Sequence, residues 1–303
     1  MREDGGVTSA TERPEPHHPA PAGAGDPASA TGPVRLIATD LDGTLLQNDK
    51  TVSDRTIAAL AAAEKAGIEV FFVTGRPARW MDVVSDHVHG HGLAICANGA
   101  AVVDLHQGGL VVEVRPLRRL AAMDVVGALR VAAPGTSFAV ELTTGLHYEP
   151  DYPPFHSDPG STVDAAERLL SEDAWHAETP VLKLLAHHPG MPPDDYLALA
   201  RETAGAHASF TRSSPTALLE ISGLGVSKAS TLAQCCAERG ISPGEVVAFG
   251  DMPNDLEMLN WAGRSYAMAN AHPSVLAATS ARTAANTEDG VAVVIERILE
   301  EQA

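Results

Sequence analysis

The first regular pattern in this chain is a short apolar run at residues 34–39, too brief for a helix and suited to a strand buried on both faces. Ser53 then offers an N-cap for a helix that carries Ile57, Leu60 and Ala61 and stops at Gly67. Residues 69–73 read as a second strand ending at Thr74-Gly75-Arg76, after which Pro77 is placed to open a helix. A third strand over 92–97 ends at Asn98-Gly99. Strands and helices alternating in this way predict a parallel sheet with helices on both faces.

The texture then changes. Residues 101–114 alternate around Gln107-Gly108-Gly109, a β-hairpin signal, and 138–148 do so around Thr144-Gly145. A helix is expected over 117–131, residues 151–160 are Pro-rich and irregular, and segments at 163–170, 181–187, 194–204 and 217–221 continue the mixture. Hairpins interleaved with helices predict an α+β insertion. Parallel-sheet texture returns with a helix that starts near Lys228 and ends at Gly240, followed by a strand over 245–249 reaching Gly250-Asp251. A helix over 254–262, a strand to Ala269, a helix near Ser274, a strand near Thr283 and a helix from Gly290 complete the pattern. The fold class expected is α/β, a parallel sheet core with helices on both faces plus an inserted α+β domain. The divisions expected are a disordered Pro/Ala/Gly-rich tail at 1–33, a core at 34–112 and 223–303, and the insertion at 113–222.

Composition narrows the partners. The chain has 303 residues, 45% of them apolar, enough to bury a large core, and a formal charge of -18 with no basic run. That charge argues against a nucleic-acid partner, since phosphate backbones demand clustered Lys and Arg. No stretch has the apolar length of a transmembrane helix, and the first thirty-odd residues lack the basic start and apolar stretch of a secretory signal. The expectation is a cytoplasmic protein, monomer or homodimer, with neither a membrane nor a nucleic-acid partner. Cys96, Cys235 and Cys236 form no disulfide framework and read as buried thiols in a reducing compartment. His17 and His18 read as solvated side chains of the tail, and Trp80, Trp175 and Trp261 as packing anchors.

Four places at or near strand ends carry chemistry, which is where open α/β sheets bind ligands. The first, Asp40-Leu41-Asp42-Gly43-Thr44, sets two carboxylates two residues apart after an apolar run. Such a pair needs a compensating cation or a chemical use. Asp40 suits a nucleophile attacking phosphorus, and Asp42 a group that protonates the leaving alcohol and then deprotonates water. Gly43 lets the chain turn sharply and Thr44 can hydrogen-bond that turn. The second, Thr74-Gly75-Arg76, offers a hydroxyl and backbone N–H groups to a phosphoryl oxygen, with Arg76 either reaching a phosphate or pairing with a surface carboxylate. Lys228 can neutralise phosphoryl oxygens and the nucleophile, or be a solvated surface lysine. The fourth, Gly250-Asp251-Met-Pro-Asn254-Asp255, supplies hard oxygen ligands suited to magnesium, or simply caps the following helix. The candidate metal set is Asp40, Asp42 through its backbone carbonyl, Asp251 and Asp255. Asp255 would act through water or by steadying Lys228. The candidate phosphate or substrate contacts are Leu41, Thr74, Gly75, Arg76, Lys228 and Asn254.

The order, residue types and strand-end positions of these four places resemble the haloacid dehalogenase superfamily, and more narrowly its Cof-type phosphatases. Asp40 and Asp42 match the first motif of that family, Thr74 the second, Lys228 the third, and Asp251 and Asp255 the fourth. Branch-like wording recurs in Cys96-Ala-Asn-Gly-Ala100, Leu219-Glu-Ile221, Gly225-Val-Ser-Lys228, Met268-Ala-Asn-Ala271 and Glu288-Asp-Gly-Val291. The resemblance runs from Val34 to the end, and implies that the sheet is a Rossmann-like core and the α+β insertion at 113–222 a cap domain. It implies magnesium-dependent hydrolysis of phosphomonoesters through an aspartyl-phosphate, with small phosphorylated metabolites, sugar phosphates foremost, as substrates. Glu141, Thr143, His147, His156 and Lys183 of the cap either face the substrate or are ordinary hairpin and surface residues.

Three other classes share parts of this pattern. A phosphotransferase or phosphomutase would carry all four motifs and is separated by measuring free phosphate against phosphosugar interconversion. A signalling receiver also phosphorylates an Asp, but needs neither an acid/base group two residues on nor a cap. A non-catalytic phosphate-binding protein on the same fold has no need of Asp40, Asp42, Lys228 and Asp251 together.

Overall fold

The computed structural model describes residues 32–85, 92–153, 155 and 158–303. His17, His18, His156 and all but the last residues of the expected tail lie outside them. In chain order the first half holds β1 (Leu36–Thr39), α1 (Asp54–Lys65), β2 (Glu69–Val73), α2 (Asp82–Ser85), β3 (Leu93–Cys96), β4 (Ala101–Asp104) and β5 (Leu110–Val114). There follow α3 (Arg119–Ala132), β6 (Ser137–Leu142), β7 (Gly145–Tyr148), α4 (Ala166–Leu169), β8 (Val181–His187), α5 (Pro193–Ala204), β9 (Ser209–Thr211) and β10 (Leu218–Ser222). The last part holds α6 (Lys228–Glu238), β11 (Val246–Gly250), α7 (Leu256–Trp261), β12 (Arg264–Ala267), α8 (Pro273–Ala278), β13 (Ala281–Arg282) and α9 (Gly290–Gln302).

Eight strands form one sheet in the order β13-β12-β11-β1-β2-β3-β4-β5. From β13 to β3 neighbours run parallel; β4 and β5 add an antiparallel edge. Leu36, Ile37, Phe71, Phe72, Val247 and Phe249 are almost wholly buried on successive strand positions. That unbroken burial is what a sheet covered on both faces requires. β1 sits between β11 and β2, so sequence order reverses on either side of it. At such a switch point the loops after neighbouring strands part and leave a crevice at the C-terminal strand ends. β1 ends beside Asp40, β2 beside Thr74, β11 beside Asp251 and β3 beside Ala97-Asn98-Gly99. α1 is capped as its sequence suggests, Ser53 accepting the Thr56 N–H, and it yields to Gly67 at φ 83°.

A second sheet, β7-β6-β8-β10-β9, is antiparallel throughout. One face, with Phe138, Val140, Leu184, Leu219 and Ile221, packs on α3 and α5 as a separate apolar core. Period-two alternation sets Glu141, Lys183 and Glu220 on the opposite face, toward the strand ends of the first sheet. β9 is absent from the sequence reading: three residues at a sheet edge are too few to show an alternation. The hairpin expected at 101–114 forms, but β5 runs to Val114 in the first sheet, two residues past the boundary drawn at 112. Pro77 precedes a single 3-10 turn, Ala78–Trp80, before α2. Trp80 and Trp261 are partly buried, whereas Trp175 is 72% exposed and meets the rings of His147 and His176 edge-on. At that exposure Trp175 is no packing anchor. Cys96, Cys235 and Cys236 are buried and free; burial pushes the Cys96 thiol up to about 12 and keeps it protonated. No helix among the described residues is long and apolar enough to cross a membrane.

Candidate active site

Lys228, the first residue of α6, is 1% exposed, because its four-carbon stem runs through the core before the ammonium emerges between two acids. Its Nζ donates to Asp40 Oδ1 at 2.5 Å and to Asp255 Oδ1 at 2.6 Å. The other oxygen of Asp255 accepts the backbone N–H groups of Asp251 and Met252, each at 3.0 Å. Asp255 is thus saturated by a lysine and a loop, which suits it to hold both in place. Asp251 receives the Thr44 hydroxyl at 3.3 Å, so Thr44 joins the first motif to the fourth, while its backbone N–H closes its own turn on the Leu41 carbonyl at 3.2 Å. Gly43, at φ 78°, is packed so closely that a Cβ there would run into the Asp251 carboxylate.

Asp40, Asp251 and Asp255 each present an oxygen within 4.8 Å of the others, and all three are buried. Three carboxylates face a single ammonium. Burial, with the charges of Asp255 and Asp251 added and that of Lys228 opposing, leaves Asp40 well above the usual carboxylate range. Burial and then the Asp255 charge push Asp251 up to about 7. Hard oxygens short of positive charge fit a small divalent cation, so the donor set passes the test for a metal centre. Asp42 stands outside this cluster as a side chain.

Asp42 is instead gripped by cations. Arg76 donates to both its oxygens, at 2.6 and 2.8 Å, and Lys50 donates at 2.7 Å. Burial works against its charge, but these hydrogen bonds prevail and bring the carboxyl down to about 2. Arg76, read from sequence as a phosphate contact or a carboxylate partner, takes the second course here. Leu41 is wholly buried in the apolar core, so only its backbone borders the crevice. Thr74 is buried and its hydroxyl accepts the Arg76 N–H at 3.1 Å. Asn254 Nδ2 donates to Asn98 Oδ1 at 3.1 Å.

The second sheet closes over this end of the core. Arg79 forks onto Glu141 and also meets Asp158 at 2.5 Å. Lys183 and Glu220 reach the Thr74–Arg76 turn and Asn98. Thr143 sits in the turn between β6 and β7, and His147 stacks on His176 with ring centroids 4.8 Å apart. Arg79, Asn98 and Glu220 carried no role in the sequence reading. Asn98 and Glu220 lay inside branch-like wording, the one signal that could have raised them; Arg79 had none.

The unneutralised acids give a prediction in their own right. A carboxyl raised in the folded state contributes stability that is complete below its unfolded value and lost as pH climbs through the folded one. For Asp251 that window runs from the ordinary range to about 7. Magnesium should therefore raise the melting temperature more at about pH 8 than at about pH 5, where protons already relieve the repulsion. Calorimetric scans with magnesium or chelator at both values check this; an equal shift contradicts it.

Comparison with known proteins agrees with this geometry. The model of the haloacid dehalogenase-like hydrolase family matches residues 37–295. The chain is 31% identical over 282 residues to the pyridoxal phosphate phosphatase YbhA of Escherichia coli, covering 86% of this chain and 97% of that one. It is 28% identical over 264 residues to the 5-amino-6-(5-phospho-D-ribitylamino)uracil phosphatase YcsE of Bacillus subtilis, covering 86% and 94%. Among solved structures, the phosphatase BT1666 of Bacteroides thetaiotaomicron superposes with a TM-score of 0.73 at 23% identity, covering 91% of this chain and 98% of that one, a likeness of fold. The strand-end acids, the buried lysine and the family match lead to one conclusion: the chain belongs to the haloacid dehalogenase-like hydrolases, as a phosphoric monoester hydrolase of the Cof-type branch.

Proposed function

We propose that the chain hydrolyses small phosphorylated metabolites, sugar and sugar-alcohol phosphates foremost, through an acyl phosphate on Asp40, with 115–222 as the cap over the site. The observation that carries this reading is the Asp40–Lys228–Asp255 line at the bottom of the crevice, joined by Asp251. Asp40 has one oxygen held by Lys228, which orients the carboxylate for attack on phosphorus and steadies the charge it relinquishes. The substrate class is supported by the relatives' own names, one a phosphatase for a phosphorylated ribityl compound and the other for pyridoxal phosphate.

Asp40 and Asp251, with the Asp42 carbonyl, would hold magnesium, which when bound supplies positive charge against the phosphoryl oxygens. Thr74 and the turn at Gly75 suit the phosphoryl oxygens on the opposite side. Asp42 held at about 2 is ionised, the form that removes a proton from water in the second half of the reaction. To protonate a leaving alcohol first, it has to exchange the grip of Arg76 and Lys50 for a proton. An incoming phosphoryl group, itself an anion, competes for both cations and favours that exchange.

Phosphate release across sugar phosphates, ribityl phosphates and pyridoxal phosphate, with Asp42→Asn in parallel, tests the reading. Wild type should turn over at least one class, and the variant should lose about two to four orders of magnitude in kcat. Unaltered turnover in Asp42→Asn removes the acid/base role; interconversion without free phosphate points instead to a phosphomutase.

A further inference from the structure

Residues 97–99, after β3, form the least relaxed turn beside the site. Ala97, Asn98 and Gly99 all have positive φ, at 50°, 55° and 101°. Consecutive left-handed residues with side chains are costly and persist only where their surroundings over-determine them. Here those surroundings are the motif turns themselves. Ala97 N–H donates to Arg76 O at 2.8 Å and Asn98 N–H to Thr74 O at 3.0 Å. A Cβ on Gly99 would run into the Ser227 carbonyl, next to Lys228. Asn98 Oδ1 accepts from Asn254. Asn98 therefore lies where three of the four motif turns meet.

The second sheet holds this junction. Glu220 of β10 accepts the Asn98 Nδ2 at 2.8 Å, the Lys183 Nζ at 2.5 Å and the Ser213 hydroxyl. Lys183 of β8 donates in turn to the Gly75 carbonyl at 2.8 Å. Glu220 and Lys183 are 4% and 6% exposed. An ionised carboxylate can only accept, so Glu220 decides which end of the Asn98 amide faces it. That leaves Asn98 Oδ1 for Asn254, and so fixes the Asn254 amide as well. Lys183, by fixing the Gly75 carbonyl, fixes the peptide plane of the turn after Thr74. Burial works against the Glu220 charge, and Lys183 outweighs it, holding the carboxyl below its ordinary range.

We infer that Lys183 and Glu220 are positioning residues through which the second sheet, on docking, sets the phosphate-holding groups at Gly75 and Asn254. The inference rests on the phosphatase reading above. It makes the phosphate site complete only while the second sheet is seated, and couples affinity for the phosphoryl group to that seating.

Glu220→Gln alone strands the buried Lys183 charge and destabilises the fold itself, so the decisive variant is the neutral pair Lys183→Met with Glu220→Gln. Full-length protein in excess magnesium is assayed for kcat and KM on p-nitrophenyl phosphate, and for binding of inorganic phosphate by calorimetry. The pair should weaken phosphate binding and raise KM by roughly tenfold or more, the loss expected of charge-assisted hydrogen bonds, with kcat reduced less. A pair that merely held the halves together would lower the melting temperature and leave phosphate affinity and KM within twofold of wild type; that result overturns the inference. Wild type without Asp40-dependent turnover contradicts the phosphatase reading, and the coupling with it.

Discussion

Asp40→Asn is expected to lower phosphate release by roughly four orders of magnitude or more, while the chain folds and melts close to wild type. Both halves of the expectation come from the same geometry. The side chain is 6% exposed and shaped to its pocket, so an isosteric amide fills the space without a cavity. Its oxygen can still accept from Lys228, and Lys228 keeps its hydrogen bond to Asp255. Removing one of three crowded carboxylates also relieves repulsion at Asp251 and Asp255. The chemistry has no such substitute. A neutral amide oxygen is a poor nucleophile toward phosphorus, and the substitution takes a charged ligand from the cation site. Phosphate release under saturating substrate and magnesium, beside a denaturant titration, measures the two halves separately. A loss of fold together with activity would shift the role of Asp40 from chemistry to structure.

Lys228→Met is expected to be the most destabilising single change near the site, by about 3–5 kcal/mol in the absence of divalent cations. Methionine fills nearly the same volume, so packing is not the cause. What is lost is the sole positive charge, among the described residues, bonded to Asp40 and Asp255, both buried. With it gone, Asp40, Asp251 and Asp255 face one another uncompensated, and the raised carboxyls of Asp40 and Asp251 titrate at higher pH still. The sign follows: the penalty is smallest in acid, where they are protonated, and grows as pH rises through their folded values. Urea titrations in chelator at about pH 5 and about pH 8 should show the gap between variant and wild type widening. Magnesium should restore part of it at the higher pH. A penalty that is flat with pH would locate the loss in packing.

What the amino-acid order revealed is tied to local pattern. Asp40, Thr74 and Asp251 each follow a buried apolar run, and a strand-end acid or hydroxyl can be read from such a run directly. The capping of α1 by Ser53 is equally local. The departures are all long-range. Arg76 finds Asp42, 34 positions away, and nothing within either segment dictates that choice. Thr44 reaches Asp251 across 207 positions because Gly43 lets the two turns touch. Glu220 and Lys183 gain their place from antiparallel register within the second sheet. Shifting that register by one residue would turn both into the apolar core over α3 and α5. Asn98 depends on a turn in which Asn98 and Gly99 suit a positive φ but Ala97 does not, and that part no local propensity favours. Leu41, next to Asp40 in the turn after β1, sends its side chain into the apolar core and leaves its backbone as the part that borders the crevice.

The central claim is that Asp40 becomes phosphorylated during turnover. Quenching the enzyme during hydrolysis of its best ester and reducing it with borohydride converts an acyl phosphate at an aspartate to homoserine, which peptide mass spectrometry locates. The account predicts homoserine at position 40, present only with substrate and absent in Asp40→Asn. Turnover with no reduced residue, or with homoserine at any other aspartate, would contradict it.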